Sequence, residues 1–290
     1  MPNLSLADSL NLLSKLTPKR VWNGIKVHAS FQLSRLIGRP IQWGLPVSVS
    51  IEPTTSCNLR CPECPSGLRA FTRPTGMLQT DFFRRTIDDI HRELLYLVFY
   101  FQGEPYLNPA FLDMVRYASS KRIYTATSTN AHYLTDANAR ATVESGLDRL
   151  IISIDGTTQD VYQQYRVGGQ LDKVLEGARN IVRWKKALGS STPFIVFQFL
   201  VVKPNEHQVE DVKRLGKEIG VDAVRLDDAH HELVAHDVLV LEGAERDALD
   251  VAEDLLHLDQ AGRLAARQVD LGDVARDDDL RAEAEARQEH

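Results

Sequence analysis

Cysteine is scarce in this sequence, and its apolar runs are short. Only three cysteines occur among 290 residues, and an odd number with a tight C-x3-C loop suits a metal better than a disulfide framework. No apolar run approaches the roughly 20 residues that a membrane-spanning helix needs, and the first residues lack the basic-then-apolar order of a signal peptide. We therefore expect a cytoplasmic protein with no transmembrane segment.

The end of the chain lacks many more residue types. Residues 231–290 contain no Cys, Phe, Trp, Tyr, Lys, Pro, Ser, Thr, Ile, Met or Asn, and hold seventeen acids against six arginines, a balance of −11. Because the whole chain carries −6, residues 1–230 carry +5. Such a composition buries little and stays solvated. We expect residues 229–290 to be an acidic tail, either a truncated or shifted reading frame or a genuine docking surface, and we expect no nucleic-acid partner.

Apolar runs alternate with helical patterns between residues 46 and 228. The runs are PVSVSIE (46–52), YLVFYF (96–101), IYTATST (123–129), RLIISID (149–155), FIVFQFLVV (194–202) and AVRL (223–226). Several are apolar at nearly every position, as strands of a parallel sheet are when both faces are covered. Thr80 and Asn108 mark helix starts, and Gly146, Gly189 and Gly220 mark helix ends.

Six strands separated by five helical stretches predict an α/β fold. A doubly wound sheet and three quarters of a barrel both fit this alternation. We expect the second of these, a partial (β/α)6 barrel related to the TIM barrel, over residues 46–228.

Residues 1–45 predict a helical extension ahead of the barrel. Leu6, Leu10 and Leu13 recur at helical spacing and form an apolar stripe, which a basic stretch from Lys15 to Lys26 follows. We expect the stripe to pack on the bottom of the barrel or on its open edge, with attachment to a membrane surface as the alternative.

Polar side chains follow the predicted strands, at the ends where parallel α/β folds gather their functional groups. The candidates are Cys57, Cys61 and Cys64 after the first strand, Gln102, Gly103 and Glu104 after the second, Asn130 after the third, Ser153, Asp155 and Arg166 at or after the fourth, and Gln198 in the fifth. All of them should lie on one rim of the barrel.

The spacing C-x3-C-x2-C leaves three chemical interpretations open. An iron–sulfur cube held by three thiolates keeps one iron available for an exogenous chelating molecule, and an open coordination position is typical of a reactive site. A structural zinc needs a fourth ligand, for which His91 or His132 is a candidate. The three thiols could also be inert. A non-catalytic zinc module is thus the alternative to an enzyme.

The segment CNLRCPEC (57–64) resembles the signature of the radical S-adenosylmethionine (radical SAM) enzymes. Two further segments resemble the family. Gln102-Gly103-Glu104 is similar to its Gly-Gly-Glu segment. The subgroup pattern S-x-D-G…Y…R-x-G-G is matched by Ser153, Asp155-Gly156, Tyr162 or Tyr165, Arg166 and Gly168-Gly169. They occur in the family's order and cover about residues 46–228. The chain looks most like the peptide-modifying branch, whose members usually add a cysteine-rich SPASM extension that residues 229–290 cannot supply.

This resemblance implies that Cys57, Cys61 and Cys64 ligate one 4Fe–4S cluster. It further implies that S-adenosylmethionine chelates the fourth iron through its methionyl amine and carboxylate. The cluster and cofactor would generate a 5′-deoxyadenosyl radical that abstracts hydrogen from a substrate, for which a peptide or protein is the candidate. The implied electron donor is a small protein of the flavodoxin or ferredoxin type.

The resemblance also assigns roles around the cofactor. The segment from Gln102 to Glu104 would receive its amino group, and Arg166 its carboxylate. Asn130 and Ser153 match polar positions after strands three and four, and Gln198 is a candidate contact to the adenosine. Each has a structural alternative: a turn for Glu104, a loop for Asn130, a carboxylate partner for Arg166 and a core partner for Gln198.

Overall fold

Seven strands form one sheet in the order in which they occur along the chain. The computed structural model describes residues 6–228 and 238–240, so the predicted acidic tail otherwise lies outside the described residues. The strands are β1 (Ser48–Ser50), β2 (Tyr96–Val98), β3 (Tyr124–Thr129), β4 (Arg149–Ser153), β5 (Phe194–Val201), β6 (Ala223–Asp228) and β7 (Val238–Val240). The helices are α1 (Leu6–Ser14), α2 (Pro18–Ile37), α3 (Pro65–Leu68), α4 (Thr80–Ile90), α5 (Phe111–Ser120), α6 (Asp136–Glu144), α7 (Gln159–Tyr165), α8 (Leu171–Ala187) and α9 (Val209–Ile219), with short 3-10 turns at Pro105–Leu107 and Glu206–Gln208.

Each predicted strand is present, and β1 to β6 pair in parallel with their sequence neighbours. A doubly wound sheet would reverse its strand order at a switch point. The order β1 to β6 has no reversal, which is the arrangement of a barrel. Strand β7, which was not predicted, pairs antiparallel with β6.

The two faces of the sheet pack against different partners. Leu150 and Ile152 of β4 belong to the large buried cluster that also includes residues of α4, α5 and α8. Ile151 lies on the opposite face, in a separate small cluster with Phe194 and Val196 of β5. Because side chains alternate along a strand, residues in register with Ile151, or two positions from it, line the inner face of the barrel.

The helical extension is present, but its leucine stripe does not pack as predicted. Leu6, Leu10 and Leu13 are exposed. Helix α1 instead contacts the barrel through polar side chains: the buried Asp8 pairs with Arg149, at the start of β4, and accepts a hydrogen bond of 2.5 Å from the Tyr124 hydroxyl. The predicted location at the bottom of the barrel is therefore right, and the predicted apolar contact is wrong.

Helix α2 is fixed in the same polar manner. The buried guanidinium of Arg20 donates to the main-chain carbonyls of Lys15, His91, Lys121 and Arg122 at 2.5–3.1 Å. These carbonyls come from the α1–α2 connection, the end of α4 and the end of α5. One side chain thus ties the extension to two barrel helices.

The helices end just before the predicted glycines, but two of them do not begin where predicted. Gly146, Gly189 and Gly220 all have positive φ just past a helix, the left-handed conformation that glycine adopts without a Cβ clash. Helix α4 begins at Thr80, so Gln79 and not Thr80 is its N-cap. Asn108 lies in the turn before α5, where its side chain donates to Pro53 O and Leu78 O.

Candidate functional site

The three cysteines lie in the loop between β1 and α3, at the carboxyl end of the sheet. All three thiols are free; Cys61 is buried, and the other two are partly exposed. The loop doubles back tightly because Gly67 of α3 lies on the main chain of Cys61. A Cβ at Gly67 would stand 2.3 Å from the carbonyl oxygen of Cys61, so only glycine fits there.

The loop after β2 is fastened to the cysteine loop. Gln102 Oε1 accepts hydrogen bonds from the Cys64 thiol at 3.4 Å and from the Ser66 hydroxyl at 3.2 Å. The same hydroxyl accepts the main-chain N–H of Gly103 at 3.0 Å. Gly103 has φ +81°, and a Cβ there would stand 2.1 Å from Thr54 O. Hydrogen bonds thus join these two loops, with Gln102 taking part through its side chain.

Glu104 is a buried carboxylate at the centre of this rim. It accepts hydrogen bonds from the Thr129 hydroxyl and the Asn130 N–H, each at 2.8 Å, and from the Tyr106 N–H at 3.3 Å. Burial raises the pKa of Glu104 to about 7, although these three donors oppose the rise. A nearby cation would favour the charged form. The side chain therefore caps the 3-10 turn at Pro105–Leu107.

Asn130 bridges the third strand and the cysteine loop. Its side-chain amide donates to Asn58 Oδ1 at 2.8 Å, and its nitrogen lies 4.0 Å from Cys57 Sγ. His132, a candidate zinc ligand, has both ring nitrogens engaged: Nδ1 lies 3.0 Å from Asn130 O, and Nε2 accepts the Gln170 N–H at 2.8 Å. His91 is bonded to Asp88 O at the end of α4. No hydrogen bond among the described residues joins either histidine to the cysteine loop.

Arg166 follows α7 and points at the cysteine loop. Its Nε donates to Asp155 Oδ2 at 2.5 Å, and its Nη1 lies 3.8 Å from Cys61 Sγ. Asp155 is itself buried, and its other oxygen accepts the Leu200 N–H at 2.8 Å. The main chain is joined as well, since Arg60 N donates to Val167 O. Arg166 therefore has a carboxylate partner and also lies beside a candidate metal ligand.

Ser153 and Gln198 stand side by side on the inner face, in register across β4 and β5. Ser153 Oγ is 3.3 Å from Ser128 Oγ. The Gln198 amide donates to Asp227, which also accepts from Arg225 Nε at 2.6 Å. No described hydrogen bond joins Ser153 or Gln198 to the cysteines, so these two form a neighbouring part of the rim.

The thiols are poorly solvated as they stand. Burial raises the pKa of Cys57 to about 11, and burial also raises that of Cys61 against the opposing effect of Arg166. Within residues 6–228, no three His, Cys, Asp or Glu side chains are grouped so that they could hold a metal ion. A structural zinc needs four ligands on one ion, whereas the thiolates of an iron–sulfur cube each bind a different iron. The donor set therefore fits a cluster better than zinc.

The family is decided by comparison with known proteins. The model of the radical SAM superfamily matches residues 51–216, which is more than half of the chain. The chain belongs to the radical SAM superfamily. Members of this superfamily are iron–sulfur enzymes that use a 4Fe–4S cluster and S-adenosylmethionine, so the predicted family, enzyme class and cofactors are confirmed at that level.

The chain spans about half the length of the curated relatives that it matches. The chain is 30% identical over 180 residues to the tungsten-containing aldehyde ferredoxin oxidoreductase cofactor-modifying protein of Pyrococcus furiosus, covering 60% of this chain and 49% of that protein. It is 27% identical over 190 residues to the PqqA peptide cyclase of Rhodopseudomonas palustris, covering 65% and 48%.

A solved structure supports the fold. SuiB of Streptococcus suis bound to S-adenosylmethionine superposes with a TM-score of 0.55 at 15% identity, covering 83% of this chain and 52% of SuiB. This likeness confirms the predicted partial (β/α)6 barrel. Among the described helices, none is long and apolar enough to cross a membrane.

Sequence reasoning missed several supporting residues of the site. Ser66 joins two loops, Asn58 holds the Asn130 amide, and Arg225 stands in register with Gln198. Serine and asparagine next to a cysteine motif give no signal that separates them from ordinary loop residues. Arg225 could have been found, because it is the one charged residue in the predicted run AVRL (223–226).

Proposed function

We propose that this chain carries the cofactor-cleaving centre of a radical SAM enzyme. One observation carries the proposal: the loops after β1, β2 and β3 and the segment after α7 meet at the three cysteines through hydrogen bonds. Such convergence of unlike polar groups at the carboxyl end of a parallel sheet is typical of an active site.

Cys57, Cys61 and Cys64 would hold the cluster. When bound, the cluster and S-adenosylmethionine supply reductive cleavage of the sulfonium and a carbon radical that removes hydrogen from a substrate. The raised thiol pKa values mean that loading must release protons from the cysteines. The Arg166 guanidinium beside Cys61 helps to offset the negative charge that remains.

The amino-acid end of S-adenosylmethionine would be held between Glu104 and Arg166. Glu104 offers a buried acceptor for the ammonium group, and Arg166 a planar donor for the carboxylate. Asp155 accepts from Nε, so it fixes the plane of the guanidinium while leaving the Nη groups toward the cysteine loop. Gln102, Gly103 and Asn130 hold the adjoining loops together.

The inner face would receive the rest of the cofactor and the substrate. The buried Ser153 and the half-buried Gln198 are polar groups there, suited to the adenosine. A peptide or protein is the proposed substrate class, because the relative PqqA peptide cyclase is named for a peptide substrate. A flavodoxin-type or ferredoxin-type donor in the cytoplasm would supply the electron.

The test is anaerobic reconstitution of the chain with iron and sulfide, followed by addition of dithionite and S-adenosylmethionine. We expect broad visible absorption, iron and sulfide bound to the protein, and formation of 5′-deoxyadenosine. Cys61→Ala should abolish product formation. Ser190→Ala, a hydroxyl deletion in the α8–β5 connection, should leave it unchanged.

Two outcomes would contradict the proposal. A colourless protein that retains zinc after reconstitution would favour the structural-metal alternative. Cleavage that persists in Cys61→Ala would remove that cysteine from the ligand set.

A further inference from the structure

The helical extension is docked with its polar face inward and its apolar face outward. Asp8 of α1 and Arg20 and Asn23 of α2 are buried, and they bind the barrel or the main chain near it. The apolar stripe of α1 faces solvent. A helix that packs on a protein normally buries its apolar stripe, so this one presents an apolar surface for something else.

The exposed apolar side chains are concentrated in this extension. Of eighteen large exposed apolar residues among those described, twelve lie between residues 6 and 47. They include Leu10 of α1, Trp22 and Ile25 of α2, and Trp43 after it. Scattered exposed leucines need no explanation, but a local concentration marks an interaction surface. We call the solvent-exposed side chains of residues 6–47 the outward surface.

The charges on the outward surface have one sign. Residues 6–47 contain six Lys or Arg, of which Arg20 is buried and Lys15 pairs with Asp148 of the barrel, and a single carboxylate, Asp8, which is buried against Arg149. Arg35 and Arg39 are exposed, and Lys26 is half-exposed. Lys19 is exposed as well, although it pairs with Glu93 of the barrel at 2.8 Å. The surface therefore offers cations and apolar groups and no exposed carboxylate of its own.

We propose that the outward surface binds the anionic face of a lipid bilayer, with α1 and α2 lying in the plane of the interface. Leucine and tryptophan beside lysine and arginine is the pattern of helices that lie in a membrane surface. Indole rings prefer the headgroup level, where one side is apolar and the other is wet. Long basic side chains bury their stems and keep their charge at the phosphates.

The observations favour lipid over a protein partner. The apolar side chains are spread along two helices and the segment up to residue 47, and a bilayer accepts such a surface without shape complementarity. Each basic side chain near an anionic bilayer contributes about fivefold to binding. The proposal is independent of the cluster, since α1 and α2 attach at the opposite end of the strands from the cysteines.

The test is co-sedimentation of the full chain with vesicles of phosphatidylglycerol and phosphatidylcholine, compared with vesicles of phosphatidylcholine alone. We expect binding to the anionic vesicles, weakened by added salt. Trp22→Ser combined with Ile25→Ser should reduce the affinity about tenfold or more, because both side chains would leave the acyl boundary. Phe82→Ser is the matched control, since Phe82 is 59% exposed and Trp22 60%, but Phe82 lies on α4.

Several results would overturn the proposal. Failure to bind anionic vesicles at low salt would do so, as would an equal loss in Phe82→Ser. Sedimentation velocity tests for the remaining alternative, a dimer. If the chain forms a dimer, the Trp22→Ser/Ile25→Ser variant is monomeric, and no vesicle binding is seen, then the outward surface binds a second copy of the chain. The apo protein serves for all arms, so failure of cluster loading leaves the test intact.

Discussion

The pair between Asp155 and Arg166 allows a prediction with a calculable size. Asp155 Oδ1 accepts the Leu200 N–H at 2.8 Å, and Oδ2 accepts Arg166 Nε at 2.5 Å. In Asp155→Asn the amide oxygen can keep the bond to Leu200, but the amide nitrogen then faces a donor. The guanidinium, only 19% exposed, loses its carboxylate. Leaving one charge of a buried pair alone costs about 3–5 kcal/mol of the free energy of unfolding.

A double-mutant cycle separates this pair from its surroundings. Asp155→Asn with Arg166→Gln removes both charges, so the double variant should be about 2 kcal/mol more stable than the sum of the single changes predicts. Urea unfolding of the cluster-free protein, followed by circular dichroism, measures each corner of the cycle. Asp136→Asn is the control, because its pair with Arg183 is exposed and should matter little.

A coupling energy near zero would refute the reasoning. It would mean that Arg166 does not depend on Asp155, and that its direction toward Cys61 has another cause. The same variants then serve in binding: after reconstitution, Asp155→Asn should weaken the binding of S-adenosylmethionine even when its iron content is normal.

Three further predictions follow from single contacts. Gly67→Ala should lower the iron bound per chain after reconstitution, because its Cβ would strike the main chain of Cys61. Burial raises the pKa of Glu104 to about 7, so this carboxylate becomes protonated and loses its charge as the pH falls. The affinity for S-adenosylmethionine should therefore drop up to about tenfold per pH unit below 7. Glu104→Gln should abolish that pH dependence. Asp8→Asn should lower the free energy of unfolding by about 3 kcal/mol, because it leaves Arg149 without its buried carboxylate partner. Urea unfolding measures this loss.

Each of these has a control in the chain. Gly24→Ala meets nothing within 4 Å and should leave iron binding unchanged. Glu63→Gln alters an exposed carboxylate within the cysteine loop and should keep the pH profile. Asp113→Asn breaks an exposed pair on α5 and should barely shift unfolding. Equal effects in variant and control would remove the proposed cause in each case.

The strands were predictable because their environment is simple. Runs such as FIVFQFLVV are apolar at every position but one, which only a strand covered on both faces tolerates. The positive φ at Gly146 and Gly220 was predictable for a similar reason, since little but glycine takes that conformation. The helix start at α5 was not, because Asn108 accepts the Ala110 N–H in the turn before the helix and also donates to main-chain carbonyls of two other loops, so that Ala110 becomes the N-cap.

The sequence indicated which residues lie at the site, but not the hydrogen bonds that connect them. The cysteine spacing and the strand ends identified the rim, but no pattern indicates that Ser66 joins Gln102 to Gly103. The α1 leucine stripe misled for a physical reason. Periodicity says that one face of a helix is apolar, and it does not say whether that face or the opposite one meets the barrel.

The strict sequence order of the strands has a further consequence for access. In the described part of the chain, β1 and β7 end the sheet without pairing to each other, and β7 covers only Ala223–Arg225 of β6. Among the described strands, the sheet is therefore open on the side between β1 and β7. For the peptide substrate proposed above, such an opening would admit an internal stretch of the chain, which would not have to be threaded end first.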